Sequence, residues 1–326
     1  MPATGPGSVS GVSSLEADPE VGASVIELLD GAAVALGGPR GLGVTRTLPN
    51  KHRRMVGAWC FLDAYGPHDL TAGPGMRVGP HPHTGLQTVS WLVSGEIQHR
   101  DSLGNVCEIR PGQLNLMTAG RGIAHSEQTP AEHGPLLAGV QLWVALPAAT
   151  RDVPPAFDQH TDLPVVTLPG LSATVLLGTL AGATSPARCH TPLVGAEITV
   201  TGAGRLPLEP GFEYAALTLD GAPAVAGVPL KPGPLLYLGE GRESVEFATA
   251  EPARVLLLGG EPFTERIVMW WNFVARDHDE IVAMRAQWAD HLNAGGQFGT
   301  VVGYDGDPIP APPMPITRLV ARGRLR

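Results

Sequence analysis

Two short runs in this chain carry side chains able to hold a metal: His81-Pro82-His83 and His125-Ser126-Glu127. Each puts two ligating groups at positions i and i+2, and on an extended strand that spacing points both to one face. Two such strands facing each other inside a barrel converge three imidazoles and one carboxylate on a point. A shell of three His and one Glu with open positions suits a divalent first-row metal that also binds substrate or dioxygen. A single His-x-His is often incidental in a turn-rich chain; the second pair is what makes the chemical reading the stronger one.

The other histidines carry less. Seven of the 11 lie between His52 and His133. His99 sits on a strand beside Arg100-Asp101, and its facing stays open. His52, His68, His133, His160, His278 and His291 read as surface or loop residues. Cys189-His190 has no second pair to complete a site.

The elements that must position the two pairs are short strands. The 326 residues include 42 glycines and 32 prolines, a density that breaks up long helices and favours strands joined by turns. The length predicts two domains, each large enough to bury a core without disulfides. Residues 1–24 are polar and small and read as a flexible arm. From residue 25 to about 150, β-type runs alternate with turns at Ser94-Gly95, Leu103-Gly104-Asn105 and Pro111-Gly112. Residues 147–155 read as a crossing stretch, and a second β-rich region occupies residues 151–326. Within it, residues 277–292 predict a helix with Ile281, Met284, Trp288 and Leu292 on one face, Asp277 or Asp279 at its start and Gly295-Gly296 at its end. This stripe is expected to pack on a barrel, with Trp270 and Trp271 just before it as packing residues.

Composition excludes several functions. The formal charge of −9, from 31 acidic and 22 basic residues, repels phosphate backbones, so no direct nucleic-acid partner is expected. Three widely spaced cysteines, Cys60, Cys107 and Cys189, give no disulfide framework. No leader-like start and no run of 18 apolar residues is visible, which predicts a soluble, cytoplasmic protein with no membrane partner.

The run GPHPHTGLQTVSWLVSGEIQHRDSLGN and the later RPGQLNLMTAGRGIAHSE resemble the signature of the pirin family in the cupin superfamily. RTLPNKHRRMVGAWCFLDAYGP, QLWVALP, WNFVARDHDEI and the tail PIPAPPMP are similar to pirin segments as well. The resemblance implies an all-β bicupin: two cupin-type β-barrels with a short C-terminal helix. A metal-binding barrel would occupy residues 25–150 and a metal-free barrel residues 151–326. It also implies one mononuclear metal, usually Fe2+, on His81, His83, His125 and Glu127.

The activity implied is that of a metal-dependent dioxygenase, of quercetin 2,3-dioxygenase type, acting on a flavonol and O2 with release of a depside and carbon monoxide. Glu127 would then take the proton of the flavonol hydroxyl, as catalytic base and ligand together. Met76, Trp91, Met117 and Trp143 are wall candidates, with ordinary core packing an equally strong reading for each and the plainer one for Trp91 and Met117. The alternative is a non-catalytic, iron-binding redox sensor that regulates a protein partner. One position departs from the family: Gln87 stands where pirins usually keep a glutamate. Gln cannot act as a base, which puts a proton route through that position in question.

Overall fold

The computed structural model describes residues 26–36, 42–71, 73, 75–294 and 296–325; the expected arm at 1–24 lies outside them. The first barrel is made of two antiparallel sheets. Its larger sheet runs in the order Ala156–His160, Leu114–Thr118, Leu86–Ser94, Leu136–Ala145, Trp59–Asp69, Leu42–Leu48, Ala32–Leu36. Its smaller sheet has Arg77–His83 on the edge, then Ile123–Gln128, Ile97–Asp101 and Val106–Ile109. One end of the barrel is closed by Tyr65 and Leu92 of the larger sheet against Val78 and Ile97 of the smaller.

The second barrel repeats the plan. Its larger sheet runs Glu27–Leu29, Leu235–Gly239, Glu213–Asp220, Ala253–Gly260, Leu193–Val200, Leu171–Leu180, Val165–Leu168, and its smaller one Gly204–Pro207, Ser244–Ala248, Ala224–Val225, Val228–Pro229. The chain thus exchanges segments: Glu27–Leu29 pairs with Leu235–Gly239 of the second barrel, and Ala156–His160 with Leu114–Thr118 of the first.

Central strands of the second barrel's larger sheet are apolar on both faces, because each face meets a core. On Ala253–Gly260, Val255 and Leu257 fill the barrel interior, while Leu256 and Leu258 pack between the barrels. Glu213–Asp220 and Leu235–Gly239 divide in the same period-two manner, as strand geometry demands. Trp59 locks this interface: it is fully buried, and its indole N–H faces the carbonyls of Val194 at 3.1 Å and Gly259 at 3.2 Å in the other barrel. Gly195 makes room for it, since a Cβ there would lie 2.9 Å from the Trp59 ring.

The helix spans His278–Ala294, with Asp277 Oδ1 accepting from the backbone N–H groups of Asp279 and Glu280 at 2.8 and 3.0 Å. Ile281 and Trp288 are fully buried against Phe273, Phe298 and Ala124, whereas Leu292 is 39% exposed. The stripe therefore packs on the first barrel, beside the strand that carries His125. Beyond the helix the extended chain stays docked: Ala124 N–H donates to Phe298 O at 3.0 Å, and Ile309 N–H to Pro80 O at 2.7 Å.

Candidate metal centre

Arg77–His83 is an edge strand, the one place in a sheet where Pro80 and Pro82 are tolerated despite lacking an N–H. Its pairing with Ile123–Gln128 sets His81 opposite His125 and His83 opposite Ile123; beyond His125 the register slips by one, so that Glu127 meets Val78. On the other flank Glu127 pairs with His99 and His125 with Asp101. The two sequence pairs and His99 therefore share the inward face of one sheet.

The imidazoles converge. His83 Nε2 and His125 Nε2 are 3.1 Å apart, and the His81 ring lies 4.4 Å from that of His125, centroid to centroid. One ligating atom each from His81, His83 and His125 fall within 4.8 Å of one another, and the same holds for His99, His125 and Glu127. All five side chains are buried. Burial pushes the His81 imidazole down to about 4 and those of His83 and His125 well below the ordinary range. At neutral pH they are uncharged, the state that offers lone pairs to a metal. Burial also pushes the Glu127 carboxyl up, against the opposing pull of His99 and the Ser90 hydroxyl.

Hydrogen bonds orient these groups. His81 donates Nδ1–H to Gly79 O at 2.8 Å, which leaves the lone pair on Nε2. Asp101 accepts from the backbone N–H groups of Leu103 and Asn105 and from the Asn105 side chain. Burial raises its carboxyl, but hydrogen bonds from His99 and Asn105 outweigh that and hold it below the usual range. His99 Nε2 lies 3.2 Å from this carboxylate and donates to it, and His99 Nδ1 stands 3.4 Å from His125 Nδ1. Stacking on Phe157, at 4.3 Å and 13° between planes, holds the His99 ring. Ser90 Oγ stands 3.2 Å from Glu127 Oε1 and 2.7 Å from Gln141 Oε1.

A cavity of about 590 Å³ opens onto the cluster. Its walls are Phe61, Trp143, Met269 and Trp271, with Arg46 at one side and Ile309, Pro310 and Pro312 of the C-terminal segment above. Phe61 stacks on Trp143 at 4.0 Å, and Trp143 meets His83 edge-on at 5.2 Å. Three imidazoles and a carboxylate at the floor of an apolar, aromatic-walled cavity fit a divalent cation with room for a second ligand.

Several expectations change here. Of the four wall candidates, only Trp143 lines the cavity; Trp91 and Met117 lie in the core shared by the barrels and Met76 in that of the first barrel. Trp271, expected to be a packing residue, lines the cavity from the tip of a hairpin, in a left-handed conformation with φ 51°. His99 turns inward; its i, i+2 spacing to Asp101 repeats that of the two ligand pairs and is the signal that marks it. Gln87 points away from the cluster, and its Nε2 donates to Thr118 Oγ1 at 2.9 Å and to Arg188 O of the second barrel at 3.1 Å. The chain turns at Thr84-Gly85 and changes sheets there, which resets the alternation after His83.

Family models match this chain twice: Pirin over residues 41–144 and the Pirin C-terminal cupin domain over residues 195–294. The chain belongs to the pirin family. A Pseudomonas aeruginosa pirin relative, PA1205, whose name gives quercetin 2,3-dioxygenase provisionally, is 45% identical over 299 residues, covering 91% of this chain and 93% of its own. A pirin-like protein of Caulobacter vibrioides is 39% identical over 75% of this chain and 87% of its own. The crystal structure of a quercetin 2,3-dioxygenase from Acinetobacter baumannii superposes with a TM-score of 0.84 at 43% identity, covering 90% of this chain and 96% of that one. Like those pirins and cupins, the chain is a two-barrel, mostly β protein. In its second barrel the interior is filled by Val194, Ile198, Leu257 and Phe247. No described helix is long and apolar enough to cross a membrane.

Proposed function

We propose that this pirin is a metal-dependent dioxygenase of the quercetin 2,3-dioxygenase type, with Fe2+ held by His81, His83, His125 and Glu127. The observation that carries the reading is the floor of the cavity: three buried, neutral imidazoles and one carboxylate beneath aromatic walls. The names of the Pseudomonas and Acinetobacter relatives support it. In this reading residues 25–150 form the metal-binding unit, completed by the exchanged strand Ala156–His160, and residues 151–326 supply the second barrel and the roof.

A divalent metal held by His81, His83, His125 and Glu127 would lower the pKa of a flavonol hydroxyl bound to it. The protein supplies the rest. Glu127 accepts the hydroxyl proton at a carboxylate oxygen, its basicity raised by burial, and Ser90 steadies that carboxylate by a hydrogen bond. Trp143 and Phe61 present a rigid aromatic wall to a flat substrate, and Met269, Trp271 and Ile309 keep water off the reacting ring. The three cysteines are free thiols, which suits a reducing cytoplasm where ferrous iron persists.

The test is oxygen consumption and carbon monoxide release by Fe2+-loaded protein given quercetin. Turnover is expected in wild type and lost, together with the metal, in His83→Ala. Fully loaded protein that consumes no oxygen across a flavonol panel would overturn the reading.

A further inference from the structure

Arg46 is the one cationic side chain among the described residues that line the cavity. It stands on Leu42–Leu48, directly across from Asp63 on the neighbouring strand. Its Nε donates to Asp63 Oδ1 at 2.8 Å and its Nη2 to Oδ2 at 2.7 Å, and Asp63 is completely buried behind it. The guanidinium also lies over the Phe61 ring, 4.4 Å from the centroid, and Phe61 stacks in turn on Trp143. The group is thus fixed at one edge by a carboxylate and on one face by an aromatic ring.

A guanidinium carries five N–H donors, and the pair with Asp63 consumes two. The three that remain, on Nη1 and Nη2, meet no acceptor among the described residues, and the side chain is about one-third exposed. A preoriented fork with free donors on an otherwise apolar wall matches a carboxylate, which takes two parallel N–H bonds. Asp63 offsets most of the net charge, so recognition here comes from directed donors more than from long-range attraction.

We propose that Arg46 is a specificity residue that binds a carboxylate on a flat aromatic substrate, at the end away from the hydroxyl that faces His83, His125 and Glu127. Hydroxylated aromatics that carry a carboxylate are then bound more tightly than neutral flavonols. This rests on the cavity being the dioxygenase substrate site, and it narrows the class of substrate.

The test compares two probes, 6-hydroxy-2-naphthoate and 2-naphthol, titrated calorimetrically into metal-loaded protein. Wild type is expected to bind the naphthoate about tenfold tighter or more, the worth of a charge-assisted hydrogen bond. Arg46→Gln combined with Asp63→Asn, which leaves a neutral amide pair in place, is expected to erase the preference, the two probes then binding equally to the variant. Equal binding of the two probes by wild type would overturn the proposal. So would a preference retained by the double variant, because the carboxylate would then sit on the metal. Should the double variant not fold, Arg46→Lys is read instead: it keeps the charge without the fork, and an unaltered preference in it counts against Arg46. A preference for the naphthoate without oxygen consumption on any flavonol would sink the dioxygenase reading and leave the role of Arg46 standing.

Discussion

His99 and His125 face each other Nδ1 to Nδ1 at 3.4 Å, within reach of one hydrogen bond between the rings. Asp101 accepts from His99 Nε2 at 3.2 Å, so a neutral His99 would offer its Nδ1 lone pair to His125, whose own lone pair would then lie on Nε2, toward His83. In that state a carboxylate sets the tautomer of a metal-facing imidazole through an intervening histidine.

Replacing His99 should therefore weaken metal binding without removing any of the four proposed ligands. His99→Ala is expected to lower metal affinity by about 10- to 100-fold in chelator competition, the usual scale for such outer partners. His99→Gln, which can still accept from His125, should recover part of the loss. Unchanged affinity in His99→Ala would show that His125 finds its tautomer unaided.

Gln87→Glu is expected to leave metal stoichiometry and turnover as they are, because the side chain faces the second barrel. The substitution replaces two buried donor contacts, to Thr118 and Arg188 O, with an acceptor facing a carbonyl. A destabilisation of about 1–3 kcal/mol at pH 7 follows from the unsatisfied group, readable in urea unfolding. A change in metal content would instead place position 87 within reach of the centre.

Gly195→Ala tests the joint between the barrels. Its new methyl group would crowd the ring of Trp59, which is held by two carbonyls and cannot swing aside. Overpacking of this kind costs about 1–3 kcal/mol, and the midpoint of thermal unfolding should fall accordingly. An unshifted midpoint would mean that the interface yields more readily than its hydrogen bonds imply.

Glu280 gives a pH dependence with a definite sign. The Arg151 guanidinium, bonded to both its oxygens at 2.7 and 2.8 Å, holds the Glu280 carboxyl below its ordinary value of 4.5. A carboxyl depressed in the folded state stabilises above its unfolded pKa, and the contribution fades as pH falls through the folded value. Glu280→Gln should thus lower the unfolding midpoint at pH 7, and the gap to wild type should close on acidification below about 4.5. A gap that persists at pH 2 would assign the effect to packing.

The ligand pairs were readable from sequence because a strand repeats every two residues, and i, i+2 spacing is local information. The turn signals were readable for a similar reason, whereas the double-barrel plan came from the resemblance to pirins. His99 needed the strand register, since only pairing with Glu127 shows which way it faces. Gln87 drew attention only through its place in the family pattern, and its direction follows from the change of sheet at Thr84-Gly85, which no local spacing reveals. Trp271 and Arg46 reach the cavity from segments far from the ligands in sequence, and no local pattern separates Arg46 from the other arginines of the chain. The exchanged strands Glu27–Leu29 and Ala156–His160 are short runs whose partners are set by tertiary packing, so a linear reading places them in the wrong barrel.

The roof of the cavity has a consequence for how the protein is made and handled. All four proposed ligands precede residue 128, but Ile309, Pro310 and Pro312 follow the whole second barrel in the sequence. A nascent chain can assemble the ligand cluster long before it can enclose a substrate. The roof is moored by Arg285 Nε to Pro312 O at 2.7 Å and by Trp288 Nε1 to Ile309 O at 2.9 Å, and the chain beyond it by Arg324 to Glu213 at 2.7 Å. Substitution or cleavage that frees either mooring therefore opens the mouth of the proposed chamber while leaving the ligands in place.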